Sequence, residues 1–468
     1  NMLKLTEGLF RMHPKVEYAD FYERAMYNHI LSTQHPEHGG YVYFTPACPS
    51  HYRVYSAPGK AMWCCVGTGM ENHGKYGQFI YTHDTVDNAL YVNLFIPSEL
   101  NWKEKKIKIV QETDFPNEEG TTVTVNPSKT TQFKLLIRYP SWVEQGKMQV
   151  VCNGVDYAKN AQPGSYIAID RQWSKGDVIE IKTPMTVRIE ELPNVPNAIS
   201  IMRGPILLGA RTGTENMPGL IAGDGRWEHI AHGSLVSLFD APYIIGERSD
   251  ILNKLNSMKP VEGKSFSFTV PGLFTQEKYK NLILEPFYGI HDSRYMMYWL
   301  SMSEPAFREY KQAVEAEENG RMILDKRTVD MVSSGEQQPE SDHAMKTQDS
   351  HRGVHAGEAW RDARNGGYFE YTLATKGNEN LSLMVRYWGA ESGSRSFDIL
   401  VDGQTIATEN IVGKWKKDLF CNVEYNIPAT LLKSKDKIAV RFQSKPDTTA
   451  GGIFAVRLLV PESTVIDK

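Results

Sequence analysis

The densest run of chemistry-bearing residues is Trp63-Cys64-Cys65-Val66-Gly67-Thr68-Gly69-Met70-Glu71-Asn72-His73. Thiolate is a preferred zinc donor, so two adjacent cysteines can share one zinc when further donors come from elsewhere in the fold. Glycine lets backbone approach a ligand or metal closely, and the amide end of a helix favours thiolate over thiol. The alternative is two cysteines packed in a core, where free cysteine is common. The residue types alone do not decide between the two. Gly67-Thr68-Gly69 is not a dinucleotide fingerprint, because the third glycine is misplaced and no buried strand precedes it. A redox pair is disfavoured, since the two-residue spacer of Cys-x-x-Cys is missing. The cysteines stand at 48, 64, 65, 152 and 421, an odd count with an adjacent pair, which does not read as a disulfide framework. Cys48 with His51 is a weaker ligand candidate, while Cys152 and Cys421 lie in strand patterns and read as core. His229 and His232 read as loop residues, and Gly353 argues against a helix aligning His351 with His355.

The elements that must hold these residues follow from periodicity. Met2, Leu5 and Leu9, with Leu3 and Phe10, predict a helix that stops at His13-Pro14, where proline restricts its neighbour and lacks an amide. A second helix is predicted from about Tyr18 to Leu31, with Tyr18, Phe21, Tyr22, Ala25 and Met26 as its apolar stripe. Residues 39–58 read as a long connection, and a short third helix is predicted after Gly69. From about residue 87 the period turns to strand alternation, as in Leu90-Val92-Leu94-Ile96, with turn signals such as Asn153-Gly154 between runs. Residues 188–303 read as a second strand-rich region, and Pro305 to Asn319 as a charged surface helix. A linker is expected from Asp325 to about Gln338, then renewed alternation through residues 339–468.

A chain of 468 residues exceeds one ordinary core, so two to four domains are expected. Hydrophobic content of 41% and charged content of 23% are those of a soluble globular protein. A net charge of -4 offers no basic surface for nucleic acid. No apolar run reaches the roughly eighteen residues of a membrane span. Aromatic content of 11% suits sugar stacking but suits any strand-rich protein equally.

Several segments carry a resemblance to known proteins. Asn1-Met2-Leu3-Lys4-Leu5, Tyr22-Glu23-Arg24-Ala25-Met26-Tyr27-Asn28, Gly40-Tyr41-Val42-Tyr43-Phe44 and the double-cysteine run occur in this order in glycoside hydrolase families 127 and 146. Residues 285–299 and Gln338-Pro339-Glu340-Ser341-Asp342-His343 resemble the same proteins, family 146 above all. The resemblance implies an α+β multidomain chain, the C-terminal part of an (α/α)6 barrel followed by β-sandwich domains. The implied segments are 1–86 as barrel remnant, 87–187 as a sandwich, 188–325 as a strand-rich region with a surface helix, and 326–468 as linker and final sandwich. It also implies a retaining exo-enzyme releasing terminal β-L-arabinofuranose, with Cys64 as nucleophile and zinc ligand and Cys65 as a second ligand. Glu23 and Tyr43 fall where family members contact the sugar. Two further zinc ligands and the acid/base glutamate are expected upstream of Asn1, so the chain alone is expected to be inactive. Arabinose-containing plant glycans and a periplasmic or extracellular location go with the family, while oligomeric state is left open. The competing expectation is a non-catalytic carbohydrate-binding or structural β-module, resting on Trp360, Tyr387 and Trp388.

Overall fold

The computed structural model describes residues 1–466 except 196, 224 and 226. The chain is mixed α+β and strand-rich, and divides into two compact units, residues 1–315 and 316–468.

The first unit opens with α1 (Met2–Met12) and α2 (Val16–Ala25), and the latter runs on as a π-turn, Met26–Ile30, and a 3₁₀ turn, Leu31–Thr33. The faces they bury follow the periodicity only in part. In α1 the core side is Thr6, Glu7 and Phe10, while Met2, Leu5, Leu9 and Met12 form an exposed ridge. Phe10 decides this, because its ring meets Phe79, Tyr91 and Tyr166 edge-on. In α2 and its extension the buried side is Val16, Ala19, Tyr22, Glu23, Met26, Tyr27 and Ile30, and Phe21 is exposed. A buried glutamate broke the apolar pattern and shifted the expected stripe.

These helices pack on strands. A four-stranded sheet orders 165–173, 131–139, 89–92 and 81–84, with the 131–139 and 89–92 strands parallel. A six-stranded antiparallel sheet orders 98–102, 107–113, 120–127, 177–182, 149–152 and 155–156. Phe133, Leu135, Ile137 and Ile169 of one and Ile109, Val123, Val125 and Ile179 of the other belong to a single core, which Phe10, Tyr22 and Met26 join. Alternating burial along strands such as 107–113 and 120–127 supplies this core, as one inward face requires. Residues 187–302 build a third sheet with its own core around Ile199, Ile201, Leu208, Leu284 and Trp299.

The helix expected to end at Asn319 runs Glu304–Arg327. The expected linker is largely ordered structure: Thr328–Ser333 is a strand antiparallel to Thr449–Leu459, and Gln337–Asp342 is a short helix. Val332 is the only fully buried apolar residue of that strand, too little alternation for a sequence signal. The second unit is a nine-stranded antiparallel assembly around Phe369, Tyr371, Leu383, Val385, Ile399, Val440 and Val456. No helix among the described residues is long and apolar enough to cross a membrane.

Candidate active site

The double-cysteine run is a helix from its first thiol, not from Gly69 onward. Trp63 is extended, and α3 spans Cys64–His73, so Cys64 and Cys65 occupy its first two positions. Both amides there are among those that lack an intrahelical acceptor. Cys64 is exposed and Cys65 half-buried, so neither thiol is sealed in an apolar interior. Their sulfurs lie 3.9 Å apart. Two thiolates each about 2.3 Å from one tetrahedral zinc stand about 3.8 Å apart, so the pair fits two positions of such a site. Among the described residues no third His, Cys, Asp or Glu gathers with them into a metal-sized group. Burial pushes the Cys65 thiol up to about 11, and Cys64 beside it adds to the rise. Desolvation and the second thiol thus outweigh the pull of the helix amides at Cys65. A cation would reverse that balance.

The motif's two glycines do different jobs. A Cβ on Gly69 would stand 2.3 Å from a Tyr41 ring carbon, so glycine is what lets α3 lie against Tyr41. Gly67 has nothing within 4 Å of that position and shares the open face with Cys64, one turn away.

Glu23 and Tyr43 lie in different surroundings. Glu23 is fully buried, paired with Arg138 through both guanidinium nitrogens, and accepts the Trp142 indole N–H at 2.8 Å. Arg138 also donates to Asp20 at 2.5 Å. Burial pushes the Glu23 carboxyl above its ordinary value, Arg138 and Trp142 oppose this, and Asp20 adds to it. Contact between Glu23 and a sugar therefore requires this network to open. Tyr43 stands in an aromatic group beside the thiols, stacked on His229 at 4.2 Å and edge-on to Trp63 at 6.3 Å. Cys48 is exposed and His51 buried, Cys152 is buried in its strand, and Cys421 is half-buried.

Two features escaped the sequence reading. His229, read as a plain loop residue, is buried among Tyr43, Phe44, Trp63 and Trp227. Trp227-x-His229 was its only local signal. The second is a set of clamps on the segment leading to α3. Arg294 donates to the carbonyls of Ser50, Glu215 and Asn216, each at 2.7 Å. Arg53 bonds the carbonyls of Ser32 and Ile290 and lies over the Phe287 ring at 4.7 Å. Tyr55 meets His291 at 2.7 Å, and His35 meets Asp292 at 2.8 Å. Burial and Arg53 push the His291 imidazole down to about 4, so it stays neutral. Residues 285–299 thus lock the 32–56 segment, which gives that resemblance run a physical role.

Comparison with known families follows this division. Residues 1–78 match the catalytic domain, and residues 89–185 the middle domain, of GH127 β-L-arabinofuranosidases. The chain is GH127-like. Residues 188–301 match a domain of unknown function, and residues 323–459 a further family of unknown function, DUF6805. Cys64, Cys65, Glu23 and Tyr43 all lie in the catalytic-domain match, whereas Trp227, His229 and Arg294 lie in the domain of unknown function. Among solved structures the GH127-like chain is similar to a GH127 β-L-arabinofuranosidase from Geobacillus stearothermophilus T6, at 18% identity and TM-score 0.45, covering 64% of this chain and 48% of that one. A second GH127 β-arabinofuranosidase aligns at 19% identity and TM-score 0.46 over 64% and 49%. A family 35 carbohydrate-binding module from Clostridium thermocellum aligns at 15% identity and TM-score 0.22, over 28% of this chain and 98% of its own. The chain spans about half the length of the glycoside hydrolase structures it matches. No curated protein sequence matches it.

Proposed function

We propose that this chain carries the thiol half of a retaining exo-glycosidase site acting on terminal β-L-arabinofuranose. The observation supporting this is the Cys64–Cys65 pair, with sulfurs 3.9 Å apart at a helix start that is open to solvent, inside the GH127 catalytic match. In this reading Cys64 and Cys65 would hold a zinc ion, which when bound would keep their sulfurs as thiolates at neutral pH. Cys64 Sγ attacks the anomeric carbon, so a C–S bond forms while the glycosidic C–O bond breaks. The departing oxygen takes a proton from a general acid. Water, deprotonated by the same group acting as base, then attacks the anomeric carbon and frees the thiolate. Two inversions at one carbon give retention.

The reading leaves the acid/base group and two of the four zinc donors unassigned among the described residues. Two thiolates supply half of a tetrahedral zinc site, so weak zinc binding is expected of this pair. The barrel and sandwich architecture belongs to the same proposal. The exposed Met2, Leu5, Leu9 and Met12 ridge is a surface that a neighbouring barrel helix would cover, and two sheets sharing one core support a sandwich over 81–182. Arabinose-containing plant glycans as substrates and a periplasmic or extracellular location complete it.

Cobalt titration tests the metal assignment. Weak binding with a thiolate-to-metal absorption band, reduced in Cys65→Ser and in Cys64→Ser, is expected. A band indifferent to both substitutions, or tight stoichiometric binding by the chain alone, contradicts it. A second reading, a carbohydrate-binding module in residues 339–468, draws support from Trp360 and Trp388, which stay partly exposed where Tyr387 is buried. Glycan-array binding by the chain that disappears in Trp360→Ala and Trp388→Ala would favour it.

A further inference from the structure

We propose that Phe44, Trp63 and Trp227, gathered about His229, form the wall on which the sugar beyond the scissile bond stacks. The inference rests on Cys64 being the nucleophile and deepens that reading by naming what binds the leaving-group side. Trp63 immediately precedes Cys64, and its ring meets His229 edge-on at 5.1 Å. From His229 the aromatic surface continues to Phe44 at 5.4 Å and to Trp227 at 5.6 Å. Phe44 and Trp227 remain 49% and 37% exposed, although both belong to this cluster. An aromatic strip therefore starts at the residue before the thiol and leads outward.

Its outer end borders an open groove of about 360 Å³ lined by Ile221, Ala222, Trp227, Glu228, Ile230 and His232. That volume lies at the small end of the range for small-molecule pockets. A sugar needs one apolar wall for its C–H face and polar groups at the edge for its hydroxyls. Here Trp227, Ile221 and Ile230 offer the first, and Glu228 and His232 offer the second. An enzyme that removes a terminal residue leaves the rest of the glycan only one direction in which to run, and the strip supplies a path. The groove side of the wall comes from residues 188–301, anchored beside α3 by parallel pairing of Ile221–Ala222 with Tyr55–Ser56 and by packing of Trp63 against the Tyr52, Val54 and Ala222 core. The domain of unknown function is thereby a part of the substrate site.

The test compares binding of methyl β-L-arabinofuranoside and of a β-L-arabinofuranosyl disaccharide by the full chain, its Trp227→Ala variant and its Trp227→Phe variant. Trp227→Ala is expected to weaken the disaccharide about tenfold, in line with loss of one ring-stacking contact. The monosaccharide should be unaffected, and Trp227→Phe should restore most of the loss. Equal affinity of parent and Trp227→Ala for the disaccharide, an equal loss for both sugars, or a parent that does not prefer the disaccharide would each overturn the proposal. Alkylation of Cys64 by an electrophilic arabinofuranose mimic, in excess zinc, separates the two levels. Labelling with no Trp227 effect removes the wall and keeps the nucleophile, whereas absence of labelling removes the reading beneath both.

Discussion

Cys64 and Cys65 are neighbours with unlike surroundings because a helix turns successive side chains about 100° apart. One sulfur faces solvent and the other is half-buried, yet they remain 3.9 Å from each other. An exposed thiol with a sulfur partner is suited to attack, and a half-buried one to holding a metal. The Glu23 environment makes a separate prediction. Glu23→Gln leaves Arg138 fully buried with Asp20 as its remaining carboxylate partner, and should lower stability by about 3 kcal/mol in urea unfolding. A change below about 0.5 kcal/mol would show that the network carries little of the fold. The thiol pair was legible in the sequence because adjacent cysteines are rare and chemically loud. The buried pairing of Glu23 was not, since its partners Arg138 and Trp142 lie more than a hundred residues away.

At the scale of elements, α3 is fixed from both sides: Gly69 lies against Tyr41, and the chain before the helix is pinned by Arg53 and Arg294. Gly69→Ala should cost about 1–3 kcal/mol, the penalty of overpacking against a ring. Gly67→Ala, in open space within a helix, should instead stabilise by about 0.5–1 kcal/mol. Equal effects of the two in thermal unfolding would contradict the packing difference. Arg294→Ala strips three carbonyls of their donor, so hydrogen exchange over residues 48–56 should accelerate while that over residues 120–127 is unchanged. Periodicity located α1 and α2 and most of the α2 stripe, but Leu5, Leu9 and Phe21 face solvent while Glu23 lies inside, because Phe10 and Glu23 set the packed side. It also placed the start of α3 late, since Gly67 and Gly69 disguise a helix whose packing requires only the second.

For the molecule as a whole, each unit has its own core, and the second has its own buried ion pair. Glu340, 1% exposed, accepts from Nε and Nη2 of Arg361, the Gly335 amide and the Tyr371 hydroxyl. Burial alone would raise its carboxyl, but Arg361 and these hydrogen bonds hold it below its ordinary value. A depressed folded value stabilises above the unfolded pKa of about 4.3 and is lost as pH falls through the folded one. Unfolding of the second unit should therefore ease on acidification below about pH 4, and Glu340→Gln should flatten that dependence. An unchanged acid profile in Glu340→Gln would refute it. Strand alternation made this unit visible in the sequence, whereas Thr328–Ser333, with a single fully buried apolar residue, passed for a linker.

Intact-mass analysis with peptide mapping, after exposure of the chain in excess zinc to an electrophilic β-L-arabinofuranose mimic, bears most directly on the nucleophile. One adduct on Cys64, absent from Cys64→Ser and suppressed by excess arabinose, is the result expected. Modification of exposed Cys48 to the same extent, or an adduct on Cys64 that competing sugar does not suppress, would contradict a sugar site at α3.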